Sequence, residues 1–197
     1  MRQYNVLLCG VGGTGVIGFG TILKQGAAEE GIMVTGNEIK GRAQRGGGVN
    51  NTVRYTILEK GESFDERKRI AGAIPRSRAD LMIATEAGEA LRNVMYLSGH
   101  SDIIINTFEM RQVGIPYPDM EKGMTWLREI ARRVIPVNAS DISMKNFGSY
   151  KMTNQVLLGV VASLAEFPIK PSVFEKLLKK DNERKAFEIG LNFNPAS

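Results

Sequence analysis

Two glycine-rich segments hold the residues that could do chemistry. The first is Gly10-Val11-Gly12-Gly13-Thr14-Gly15. It follows the apolar run Asn5–Cys9 and opens a stretch with Val16, Phe19, Leu23 and Ala27 at helical spacing. That order predicts a strand, a tight turn and a helix. Gly10 would permit the bend, Gly12 a close backbone approach, and Gly15 the packing of helix on strand. Free N–H groups at the start of such a helix attract an anion. Two readings of the turn stay open: contact with a phosphate or cofactor through Gly10, Gly12, Gly13, Thr14 and Gly15, and a tight turn of structural purpose alone. An NAD site is disfavoured, because the ribose-binding acid belongs at the end of the second strand. Glu38 is the one candidate, and it comes late, beyond Gly36 and Asn37.

The second segment runs from Glu38 to Gly48 and includes Lys40, Arg42, Gln44, Arg45, Gly46 and Gly47. It follows a second strand, Ile32–Thr35. Loops after parallel strands lie at the carboxyl edge of a sheet, where ligands bind. Gln44–Gly47 is therefore expected beside Gly12–Thr14. Its glycines and basic side chains could form a backbone nest for an anion. A ligand's phosphates, a partner subunit and a plain basic surface loop are all open readings. Elsewhere the pattern is blander. Cys9 reads as a small core residue, and His100 as part of a turn after Gly99. Glu86 and Glu89 complement a helix dipole, while Asp141 stands isolated. No nucleophile stands near a base at a spacing that chemistry would need, so no catalytic group is expected in this chain.

The elements that must position these segments follow from periodicity. Val49–Ile57 alternates as a longer, half-exposed strand, and Glu59–Arg78 is a charged surface excursion. Leu81–Thr85 and Asp102–Thr107 are buried strands separated by a helix with Ala87, Ala90, Leu91 and Val94 on one face. Gly114–Pro118 is an extended loop. Asp119 caps a helix reaching about Arg133, and Val134–Val137 is a last short strand. Met152–Glu166 is helical but apolar nearly all round, so it is either central or covered by a partner. Ser172 and Glu175 form a capping-box pair opening a helix with Phe174, Leu177 and Leu178. Asp181–Asn192 is a final helix. Strands alternating with helices imply an α/β fold. The expectation is a mostly parallel, doubly wound, Rossmann-like sheet with helices on both faces, in a single domain over residues 1–197.

Composition narrows the function. The chain has one cysteine and one histidine in 197 residues. It can form no intrachain disulfide, no multi-histidine metal site and no cysteine-ligated iron–sulfur cluster of its own. Its net charge of +5 favours anionic ligands or acidic partners. The basic residues alternate with acids, as in Glu62–Arg69, and no aromatic platform accompanies them, which argues against nucleic acid. Met1–Tyr4 leads straight into a strand without the apolar core of a signal peptide, and no apolar run approaches about 18 residues. The expected location is the cytoplasm, with no membrane span.

Taken together, these segments resemble one family. The carrying residues are Gly10-Val11-Gly12-Gly13-Thr14-Gly15-Val16, Glu38, the run Ala43-Gln44-Arg45-Gly46-Gly47, and Val53-Arg54. Ala79-Asp80-Leu81, Glu86 with Glu89–Arg92, Ile105-Asn106-Thr107, Asn154, Leu158-Gly159 and Arg184–Gly190 complete the set in order along the chain. The sequence is similar to the gamma-type subunits of the 2-oxoacid:ferredoxin oxidoreductases. The Ala43–Gly47 run is most similar to the beta subunit of the indolepyruvate branch. Thr14 departs from the glutamine of many members, and Glu62–Gly72 is longer than the usual connection. The resemblance implies oxidation of an arylpyruvate with coenzyme A to an aryl-acetyl-CoA and CO2, with two electrons passed to ferredoxin. It also implies a large partner subunit that holds thiamine diphosphate, Mg²⁺ and 4Fe-4S clusters. This chain would then be a non-catalytic subunit that completes the active-site wall or contacts coenzyme A. A homodimer is the expected state of the chain in isolation. The alternative from another class is a stand-alone dinucleotide-binding regulatory or redox protein.

Overall fold

The computed structural model describes residues 1–40, 47–59, 61–63, 70–111, 114 and 116–194. The strands are β1 (Arg2–Val11), β2 (Met33–Thr35), β3 (Glu38–Lys40), β4 (Gly48–Ile57), β5 (Leu81–Ala84), β6 (Asp102–Asn106) and β7 (Arg133–Val137). They form one sheet in the order β2-β4-β1-β5-β6-β7, with β3 also paired to β4. Among the described strands β4 alone runs against the rest: it is antiparallel to β1, β2 and β3, whereas β1, β5, β6 and β7 pair in parallel. The mostly parallel α/β expectation holds, with one inversion that alternation could not reveal. A strand's inward and outward residues read the same in either direction.

The helices are α1 (Val16–Glu29), α2 (Ala87–Arg92), α3 (Met120–Ile130), α4 (Ala139–Phe147), α5 (Thr153–Ala162), α6 (Pro171–Leu177) and α7 (Asp181–Leu191), with 3-10 turns at Val94–Tyr96 and Tyr150–Met152. β1 explains why both faces need cover. Tyr4, Val6 and Leu8 enter a core shared with α1, α5, α6 and α7, while Leu7 and Cys9 enter a second core with residues of α2 and α3. The period-2 pleat forces this division. α5 belongs to the first core: Val156–Ala162 are all buried, and α7 lies across the helix. An alanine Cβ placed at Gly159 would come 2.1 Å from the Phe187 carbonyl oxygen. The apolar circumference of α5 therefore finds its cover inside this chain.

Several boundaries differ from expectation for identifiable reasons. α3 starts at the Asp119 cap, whose carboxylate accepts from the Lys122 N–H, but it ends at Ile130, and Arg133 already belongs to β7. α6 opens with Pro171 rather than with a Ser172–Glu175 box; Ser172 lies inside the helix, and proline suits its first position because it lacks an N–H that would go unpaired. α4 is a helix that the sequence pattern does not announce, since its mixed residues Ala-Ser-Asp-Ile-Ser-Met-Lys-Asn-Phe carry little periodicity. The polar face of β4 is covered too. Arg54 donates from Nε to Asn5 Oδ1 at 2.8 Å and from Nη1 to the Ala71 and Ala73 carbonyls, while Thr52 Oγ1 donates to the Gly72 carbonyl at 2.7 Å.

Asp102, at the amino end of β6, is 1% exposed. It accepts from Arg132 Nε at 3.0 Å, Arg132 Nη2 at 2.7 Å and Arg133 Nη2 at 2.7 Å, and both arginines also reach Glu166. Burial pushes its carboxyl upward, but the hydrogen bonds and charges of the two arginines outweigh this and hold it below the usual range. A depressed folded value means that its stabilisation is present above about pH 4 and is lost as pH falls through the folded value. Asp102→Asn should cost roughly 2–3 kcal/mol at neutral pH, less than for a fully buried pair because both guanidiniums stay half exposed. The difference between wild type and variant should shrink below about pH 4. Denaturant melts across pH test this; equal stability at pH 7 would count against the clamp.

Candidate functional site

The carboxyl ends of β1, β5 and β6 and the N-termini of α1, α4 and α5 surround a chamber of about 280 Å³. Its polar floor consists of Gly13, Thr14, Gly15, Thr85, Asn106 and Ser140, and Thr153 and Asn154 also line it. Phe108, Met110 and Tyr150 form an apolar wall, and among the described residues Lys151 is the one charged side chain of the lining.

The turn after β1 is built as the glycines require. Gly13 and Gly15 have φ of 103° and 78°, a region that side chains with a Cβ rarely enter. Gly15 is the residue before α1 and lines the chamber, so the first turn of that helix, whose N–H groups have no partner within the helix, begins at the chamber's edge. Thr14 Oγ1 donates to the Val11 carbonyl at 2.8 Å and lies 2.7 Å from Thr85 Oγ1, which ties the turn to the end of β5. Asn154 locks the same turn from α5: its Nδ2 donates to the Thr14 carbonyl at 3.0 Å and the Gly15 carbonyl at 3.3 Å. Asn106 joins the remaining walls. Its Nδ2 donates to the Thr85 carbonyl at 3.0 Å and Ser140 Oγ at 2.9 Å, and its Oδ1 accepts from the Ser140 N–H at 3.2 Å.

Of the residues expected at a site, Gly13, Thr14 and Gly15 line the chamber. Gly10 is not in the lining and does not make the bend: it lies within β1, where an added Cβ would come 1.9 Å from Thr85 Oγ1. Gly12 donates its N–H to the Gly47 carbonyl at 2.9 Å, so Gly47 does sit beside the turn. The route differs from expectation: Gly47 leads into β4, whose first residue pairs with Val11 at the end of β1, and β2 lies beyond β4. Glu38 is not in the lining; it stands on β3 with Oε1 3.9 Å from Lys24 Nζ on α1. Gln44, Arg45 and Gly46 fall outside the described residues. Asn106, Ser140, Lys151 and Asn154 were not expected as site residues. The signal for Asn106 and Asn154 was their place in the family resemblance, and nothing local marked Ser140.

Chemically the chamber can hold and orient a ligand. Among the described residues its lining contains no carboxylate, imidazole or thiol to exchange protons. The converging helix N-termini give it a positive potential, to which Lys151 adds. Cys9 is fully buried, and burial, then Glu89 and Glu86, push its thiol well above the ordinary value. Among the described residues no group of three His, Cys, Asp or Glu side chains could hold a metal, and no helix is long and apolar enough to cross a membrane.

Comparison with known proteins gives the family. The profile of the family described as pyruvate ferredoxin/flavodoxin oxidoreductase matches residues 5–194. The chain is 34% identical over 173 residues to the indolepyruvate oxidoreductase subunit IorB of Methanothermobacter thermautotrophicus, covering 85% of this chain and 82% of that one. Its fold is similar to a 2-oxoglutarate:ferredoxin oxidoreductase from Magnetococcus marinus with 2-oxoglutarate, coenzyme A and succinyl-CoA bound. That match has a TM-score of 0.70 at 17% identity, over 97% of this chain and 31% of the longer one. It is also similar to the gamma subunit of a keto/oxoacid ferredoxin oxidoreductase from Geobacter sulfurreducens, with a TM-score of 0.63 at 17% identity over 96% and 95% of the two chains. The strand–glycine turn–helix and a profile match across nearly the whole chain agree: this chain belongs to the pyruvate ferredoxin/flavodoxin oxidoreductase family.

Proposed function

We propose that this chain is the small gamma-type subunit of a coenzyme A-dependent 2-oxoacid:ferredoxin oxidoreductase that acts on indolepyruvate or another arylpyruvate. The overall reaction turns the 2-oxoacid and coenzyme A into an acyl-CoA and CO2, and two electrons pass to ferredoxin. The observation that carries the reading is the chamber: a neutral polar floor with an apolar wall and converging helix N-termini, in a chain whose indolepyruvate-named relative matches it over most of both lengths. Thiamine diphosphate with Mg²⁺, held by a large partner, would supply carbanion stabilisation, and 4Fe-4S clusters there would carry the electrons. One buried cysteine makes this chain unfit to ligate a cluster. Its own part is to hold coenzyme A. At about 280 Å³ the chamber admits only a portion of so large a molecule. Thr14, Ser140, Thr153 and Asn154 would orient that portion, Phe108 and Tyr150 would exclude water from it, and Lys151 would meet its negative charge.

Co-expression with the large subunit, followed by size exclusion and a coenzyme A-dependent assay with ferredoxin or a dye, tests the reading. No turnover is expected from this chain alone, and full turnover from the assembly. Lys151→Glu should assemble normally and raise the KM for coenzyme A by about tenfold or more, as expected for a reversed charge beside an anionic ligand. Turnover by the single chain would refute the reading, as would a large subunit fully active without it. A stand-alone dinucleotide-binding role has nothing in its favour, since Glu38 is turned to Lys24 rather than to the glycine turn.

A further inference from the structure

Glu86 follows Thr85 at the exit of β5, and its side chain is 1% exposed. A carboxylate so deeply buried is costly unless fully hydrogen-bonded. Here it takes donors from three places. Its Oε2 accepts from the Glu89 N–H at 3.0 Å, which caps α2. Its Oε1 accepts from the Met110 N–H at 2.9 Å and from the Tyr117 hydroxyl. That hydroxyl in turn accepts from the Gly88 N–H at 2.9 Å. The Phe108 carbonyl accepts from the Ala87 N–H at 3.0 Å, a further tie to the same helix end.

A helix cap needs one acceptor, and an exposed serine or aspartate ordinarily provides it. The second oxygen of Glu86 does something else: it holds the chain that leaves β6. That chain carries Phe108 and Met110, two residues of the apolar wall of the chamber. Burial, then the Glu86 carboxylate, push the Tyr117 hydroxyl above the usual phenol range, so it stays a donor at neutral pH. We infer that Glu86 and Tyr117 are positioning residues for the chamber, setting its affinity for coenzyme A by holding Phe108 and Met110 in place. This rests on the reading above that the chamber receives coenzyme A.

The test uses the assembled enzyme with Tyr117→Phe, which removes the strap hydrogen bond and leaves the Glu86–Glu89 cap intact. The KM for coenzyme A should rise about tenfold, the scale of one lost hydrogen bond, while kcat and the KM for the 2-oxoacid stay within roughly twofold. Glu86→Gln should move the same constant in the same direction, because an amide cannot accept on both sides. Should that variant fail to fold, Tyr117→Phe decides alone. In the full chain, hydrogen exchange at Met110 and Gly88 should quicken in Tyr117→Phe. A lower melting temperature with an unchanged KM for coenzyme A would show a structural brace only and overturn the inference. Lys151→Glu separates the two levels. A raised KM in that variant with none in Tyr117→Phe overturns the positioning role alone, and no change in either overturns the chamber reading with it.

Discussion

Gly190→Ala should leave little or no folded protein. α5 and α7 cross with backbone against backbone: a Cβ at Gly190 would sit 1.9 Å from the Val156 carbonyl oxygen and 3.1 Å from the Gly159 Cα. No rotamer change relieves a clash with main chain. The helices would have to separate, which would open voids beside Val156, Val160 and Phe187, all buried. Overpacking usually costs about 1–3 kcal/mol, and a backbone clash exceeds that, so we expect about 4 kcal/mol or more. That is a large share of a typical total of about 5–15 kcal/mol. Gly159→Ala should behave alike. Gly99→Ala, with nothing within 4 Å of the added atom, should stay within about 0.5 kcal/mol of wild type. Soluble yield and thermal melts decide; a Gly190→Ala protein melting within a few degrees of wild type would contradict the close crossing.

Gly10→Ala should damage both fold and chamber. The added Cβ would lie 1.9 Å from Thr85 Oγ1 and 2.8 Å from Thr14 Oγ1 and Val16 Cγ2. Here the obstacles are side-chain ends, which can move, so the stability loss should be smaller, about 2–3 kcal/mol. The movement has its own consequence. Thr85 must turn away, breaking its contact with Thr14 and releasing the turn from the end of β5. Asn154 would then hold a displaced loop, and the floor of the chamber would change shape. A displacement of about 1 Å in a positioning group costs roughly a hundredfold, so the assembled enzyme should lose one to two orders of magnitude in kcat/KM for coenzyme A. Unchanged kinetics with normal stability would mean that the turn is not part of the ligand site.

Local chemistry in the chain already determines the entry to the site. An apolar run followed by Gly12, Gly13 and Gly15 reads as a strand, a tight turn and a helix start, and Gly13 and Gly15 do take φ values that exclude most other residues. The same holds for the Asp119 cap and the buried strands β5 and β6, whose signals lie within a few neighbouring residues. A single cysteine falls short, by count, of the four thiolates that a cluster normally takes.

Other features depend on partners far along the chain. α3 ends before Arg132 because Asp102, thirty residues earlier, draws Arg132 and Arg133 to the edge of the sheet. α5 looks unpartnered in sequence, yet Gly159 and Gly190 let α7 close over it. β4 reads the same in either direction, and only its register with β1 brings Gly47 beside Gly12. The chamber is the clearest case. Asn154 reaches a carbonyl 140 positions away, and Asn106 joins Thr85 to Ser140. Each is a neutral amide with no local pattern to mark it. The sequence by itself determined the strand, the glycine turn and the lack of cluster ligands, since these follow from backbone sterics and residue counts. The tertiary structure alone decided which polar side chains meet at that turn, since their hydrogen bonds exist only once the ends of β1, β5 and β6 lie side by side.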